Sequence, residues 1–143
     1  MAQNVSPIYT LVPNTGANTS TLMASTMLTA VGDYTGISAN YVLVHTAGTN
    51  GSYVRRLRFK AIGTNTASVA RIFINNGATP GTGTNNTFYG EISLPGTTAT
   101  NIASTVDIDY PMEFALDPSF RIYVGLATTV SAGWVCAAIA GQY

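Results

Sequence analysis

The chain has 143 residues with six basic and six acidic side chains, so charged residues are 8% of it, against about 25% in an average soluble protein. That length suits one domain with its own core, and one cysteine with one histidine excludes a disulfide framework and a protein-built zinc site. A formal net charge of zero removes the counterion-release footing of nucleic-acid binding and leaves a surface solvated by Thr, Ser, Asn and Gly.

Met1, Ala2, Gln3 and Asn4 open the sequence without a basic or apolar leader, and no run reaches the roughly 18 apolar residues of a membrane span, which predicts synthesis in a cytoplasm. Residues 1–36 read as an extended N-terminal arm rich in Thr, Ser, Asn and Ala, and residues 37–143 as a β-sandwich domain. In the arm, Ile8, Tyr9, Leu11 and Val12 form the best strand, stopped by Pro13-Asn14-Thr15-Gly16. Residues 20–30 space Leu22, Met23, Met27 and Leu28 as a short helix would, but their threonines and lack of charged helix formers argue for extended chain.

From residue 37 the alternating apolar runs predict eight strands at 41–46, 53–62, 68–75, 87–94, 105–110, 112–116, 121–127 and 133–140. The separators Gly48-Thr49-Asn50-Gly51, Gly63-Thr64-Asn65, Asn75-Asn76-Gly77 and Pro95-Gly96 supply residues that tolerate or preset turn geometry. Eight antiparallel strands in a domain of this size fit an all-β sandwich of two four-stranded sheets, a jelly roll. Gly81-Thr82-Gly83-Thr84 lacks the lysine and following helix of a phosphate loop and reads as a loop tip.

Nothing in these strands assembles a reactive site. His45 has no second histidine to work with, and alternation places it on the face of Tyr41 and Leu43. Cys136, inside Trp134-Val135-Cys136-Ala137-Ala138-Ile139, reads as a small core residue. Asp107 and Asp109 project from one face of one strand, a spacing that could hold Ca²⁺ or act as a glycosidase pair. Such an enzyme recruits its carboxylates from different strands, however, and Glu113 is the only third oxygen source nearby, so a solvated or ion-paired face is the expected reading. The strongest charge pattern is 53–62, where Leu57, Phe59 and Ala61 share one face and Arg56, Arg58 and Lys60 the other. If the strands at 53–62 and 105–110 lie at opposite edges of one sheet, Arg56, Arg58 and Lys60 of one subunit meet Asp107 and Asp109 of the next, a contact that closes a threefold ring.

Lys60-Ala61-Ile62-Gly63-Thr64-Asn65-Thr66-Ala67, Ala70-Arg71-Ile72-Phe73-Ile74-Asn75-Asn76-Gly77 and Tyr89-Gly90-Glu91-Ile92-Ser93-Leu94-Pro95 are similar to stretches of small virion-associated proteins of tailed bacteriophages. So are Phe114-Ala115-Leu116, Arg121-Ile122-Tyr123-Val124, Thr128-Thr129-Val130, Ala132-Gly133-Trp134 and Ala140-Gly141-Gln142-Tyr143. The resemblance spans roughly residues 40–143 and carries no chemistry of its own. Some of these proteins are jelly-roll decoration or cement proteins. The resemblance therefore implies a non-enzymatic, cofactor-free structural role on the outer capsid surface of a virion, with the major capsid protein as partner and a homotrimer as assembly. In that role Ile8, Tyr9, Leu11 and Val12 add to a neighbour's sheet edge. The competing expectation is a carbohydrate- or receptor-binding module of a head or tail fibre, presenting Tyr53, Tyr89 and Tyr123.

Overall fold

The computed structural model describes residues 12–14 and 25–143. Among them the strands are β1 (Val12–Asn14), β2 (Ser25–Met27), β3 (Val42–Thr46), β4 (Ser52–Ala61), β5 (Ser68–Asn75), β6 (Asn86–Leu94), β7 (Asp107–Leu116), β8 (Arg121–Leu126) and β9 (Trp134–Gln142). A single 3-10 turn, Gly83–Asn85, precedes β6. One sheet has the order β1–β9–β4–β7, with β2 also on β9; the other has the order β3–β8–β5–β6. β1 and β2 occupy successive stretches of β9, Val12 opposite Gln142 and Met27 opposite Trp134, so together they fill one sheet position. The result is an eight-position antiparallel sandwich of two four-stranded sheets, and the way β2 to β9 cross between the sheets is that of a jelly roll.

Period-two patterning explains the core. Val54, Leu57, Phe59 and Ala61 of β4, with Trp134, Cys136 and Ala138 of β9, face Ala70 and Ile72 of β5 and Ile122, Val124 and Leu126 of β8. Each large apolar side chain in this layer contributes roughly 1.5–3 kcal/mol by leaving water. Met27, in the segment read from sequence as arm, is part of the same cluster.

Three local readings change. The runs at 105–110 and 112–116 are one strand, β7, which continues through Pro111. β7 pairs only with β4 and forms a sheet edge, where a missing N–H removes no ladder bond. The eighth position comes instead from β1 and β2. Second, β4 and β7 are hydrogen-bonded neighbours, with Arg58 opposite Asp109 and Lys60 opposite Asp107, and not opposite edges of their sheet. Third, His45 is buried in the interior, not on the face of Leu43, because a register shift between Leu43 and His45 inserts one residue and reverses the alternation.

Candidate functional site

The outer face of the first sheet carries most of the charge. Arg58 Nη2 lies 2.9 Å from Asp107 Oδ2, Lys60 Nζ lies 3.4 Å from the same oxygen, and Arg56 Nε lies 3.5 Å from Asp109 Oδ2. The hydrogen bond from Arg58, helped by Lys60, holds the Asp107 carboxyl below its ordinary range. The residues proposed from sequence as a subunit interface, Arg56, Arg58, Lys60, Asp107 and Asp109, thus meet one another inside one chain. They form a ladder between adjacent strands, and the charge contact expected between subunits loses its basis.

Next to the ladder, β4 bulges. Its register to both β7 and β9 shifts between Val54 and Arg56, which sets Arg55 out to solvent beside a half-buried Arg56. Across from the bulge Glu113 has φ 54°, and its Oε2 accepts the Tyr53 hydroxyl at 2.6 Å, an interaction that raises the phenol above its usual range. Tyr53, Arg55, Ile139, Ala140 and Gly141 bound a shallow depression of about 210 Å³. Arg55 has no ion pair among the described residues.

At one end of the sandwich three loops are tied together through Asn65. Its Nδ2 donates to the Gly133 carbonyl at 3.0 Å, the Gly63 carbonyl at 3.3 Å and Thr97 Oγ1 at 3.3 Å. Its Oδ1 accepts the N–H groups of Ala132 at 2.9 Å and Gly133 at 2.7 Å. Thr97 and Asn65 also exchange main-chain bonds, and Ser131 Oγ donates to the Thr64 carbonyl at 2.6 Å. These loops, residues 62–67, 95–106 and 127–133, contain no charged residue. They nevertheless expose Ile62, Val106 and Ile102, the last 96% accessible. The sequence marked Asn65 as a turn residue; its burial and five-fold bonding have no local signature.

Over the outer face of the second sheet, residues 31–41 fold back. Val31 and Tyr41 pack on Phe73, the Tyr41 hydroxyl donates to the Asp33 carbonyl at 2.7 Å, and Arg71 lies 3.9 Å from the centre of the Tyr34 ring. The three tyrosines that a glycan-binding module would present, Tyr53, Tyr89 and Tyr123, lie apart from one another. Tyr53 is on the outer face of the first sheet, Tyr89 packs on Phe114 at 5.3 Å between ring centres where the two sheet edges meet, and Tyr123 joins the cluster under residues 31–41. The 81–84 stretch overlaps the 3-10 turn Gly83–Asn85, and Asn86 Nδ2 closes the loop by donating to the Pro80 carbonyl at 2.7 Å.

His45 Nε2 is 2.7 Å from Ser52 Oγ, and burial lowers the imidazole to about 4. Cys136 is buried, and burial raises its thiol well above the ordinary value. The His45–Ser52 pair is a base beside a hydroxyl, but both side chains are fully buried and out of reach of a substrate, and among the described residues no three His, Cys, Asp or Glu side chains converge as metal ligands. Of the proposed capsid-binding arm, Ile8, Tyr9 and Leu11 lie outside the described residues, while Val12 pairs with Gln142 of its own chain.

No protein-family model, no curated protein and no solved structure matches the chain.

Proposed function

We propose that the protein is a structural component of a virus particle, a decoration or cement protein on the outer surface of a tailed-phage head, and not an enzyme. One observation carries this reading: the uncharged loop end, in which Asn65 fixes three loops beneath exposed Ile62, Ile102 and Val106. A surface ordered in advance loses little conformational entropy on docking, and aliphatic side chains on loops that carry no charge of their own bring little desolvation cost, the Lys60–Asp107 pair that borders Val106 being already satisfied within the chain. Such a foot, set on the seams between capsid subunits, adds binding free energy to the expanded shell alone and shifts the shell toward that form. The major capsid protein is the partner. A threefold assembly of the decoration protein, if formed, draws on apolar contact, since the charge ladder is satisfied within each chain.

Co-sedimentation with expanded heads assembled without this protein tests the reading. Saturable attachment is expected, weakened at least about tenfold by Ile62→Asp together with Ile102→Asp in a protein that stays folded, in line with the loss of interface anchors. Removal of residues 1–11 reports separately on the arm. Failure of the intact protein to attach, or attachment indifferent to the double substitution, overturns this assignment.

A further inference from the structure

We propose that the depression beside the β4 bulge binds the acidic residue of a glycan, one pyranose ring bearing a carboxylate. This goes beyond a mechanical role on a capsid and does not depend on it.

The volume, about 210 Å³, is below the roughly 300 Å³ at which pockets for drug-sized ligands begin, and suits a single ring laid on a surface. Ile139, Ala140 and Gly141 of β9 make one side of it, an apolar strip against which the C–H face of a sugar can rest. The polar groups on the other side are what choose the ligand. Arg56, Arg58 and Lys60 are all within ion-pairing distance of carboxylates on β7, whereas Arg55 is exposed and has no such partner among the described residues. A guanidinium in that state offers a planar fork of donors matched to a carboxylate.

The bulge is what brings Arg55 there. Without the extra residue the alternation would turn this side chain to the core. Opposite it, Glu113 adopts a left-handed backbone conformation uncommon outside glycine, and its carboxylate takes the Tyr53 hydroxyl through Oε2. A second carboxylate oxygen remains at Glu113 to accept a hydroxyl. An Asp or Glu side chain from a protein partner offers no hydroxyl, whereas a sugar acid sends its carboxylate to Arg55 and its hydroxyls to Tyr53 and, beyond the lining, to the Glu113 that Tyr53 holds.

The test is a titration of isotopically labelled protein, followed by amide chemical shifts, with methyl β-glucuronide, the neutral methyl β-glucoside and acetate as probes. The expected result is saturable shifts at Tyr53, Arg55 and residues 139–141 with the glucuronide, in about the millimolar range that a shallow single-residue site supports. Binding of the glucoside and of acetate is expected to be at least about fivefold weaker, because each lacks one half of the recognition. Arg55→Gln should erase the preference for glucuronide over glucoside, and Glu113→Gln should weaken the glucoside, which loses a charged acceptor for its hydroxyls, without weakening acetate. Both positions are exposed, and a well-dispersed spectrum certifies that each variant is folded. No saturable shift at these residues, equal affinity for the two sugars, or acetate binding as well as glucuronide overturns the proposal; the last outcome would mark a site for a protein carboxylate instead.

Discussion

Asn65 and Gly133 are joined twice: Gly133 donates its N–H to Asn65 Oδ1 at 2.7 Å, and Asn65 Nδ2 donates to the Gly133 carbonyl at 3.0 Å. The pair closes the loop before β9 onto the loop after β4. Asn65→Ala leaves the buried N–H groups of Ala132 and Gly133 without this acceptor, and a loss of about 2–4 kcal/mol is expected from the unsatisfied groups. Urea unfolding of the two proteins measures it. A loss below about 1 kcal/mol would mean that water replaces the side chain and that the loop end is not held by it.

The charge ladder predicts intramolecular coupling. Asp107→Arg should destabilise the protein, and adding Arg58→Asp should recover part of the loss, with the recovery shrinking as salt is raised. Sedimentation should give the same molecular mass for all three proteins. A change in assembly state with charge reversal would place these groups between subunits after all.

Burial holds His45 neutral, with a value of about 4 against 6.5 for the free side chain. The unfolded chain therefore binds more protons between those values, and stability is full above about pH 6.5 and falls as the pH drops toward 4, by up to roughly 3 kcal/mol. Asp107, whose value is lowered, loses its contribution only as the pH falls through the carboxylate range. His45→Gln should flatten the stability profile between pH 6.5 and 4.5 in denaturant titrations. An unchanged slope would assign the pH dependence to other groups.

Cys136 is expected to resist alkylation in the folded protein and to react on unfolding, because its thiol is buried and its deprotonation disfavoured. Cys136→Ala should cost about 1–2 kcal/mol and leave the surface unaltered. Labelling of the native protein at the rate of a free thiol would contradict the packing described.

Much of the fold is legible in the residues themselves. Leu57, Phe59 and Ala61 alternate with Arg58 and Lys60 because a strand shows its two faces in turn, and the structure keeps that division. What fails is what a single insertion or a distant partner decides. The residue added before His45 reverses its face, and no turn signal announces it. Pro111 resembles a break because proline is excluded from central strands, yet β7 is an edge. The adjacency of β4 and β7, which turns an expected contact between subunits into an internal ladder, depends on pairing across some fifty residues of chain. The candidate site was half visible: Tyr53 and Arg55 lie in the basic run, but their exposure together requires the bulge.

The position of β9 governs how this chain must fold. It is inserted between β4 and the β1/β2 position, so the sheet has no complete centre until a segment made about seventy residues after β4 arrives. Until then Leu57 and Phe59 have no cover from Cys136 and Ala138, and a long β4 stands with an unpaired backbone edge. During synthesis the nascent chain therefore passes through an interval in which the apolar face of β4 and one of its backbone edges are open to other chains. Slow, late-committing folding and a dependence on chaperone protection at high expression follow from the threading of one strand.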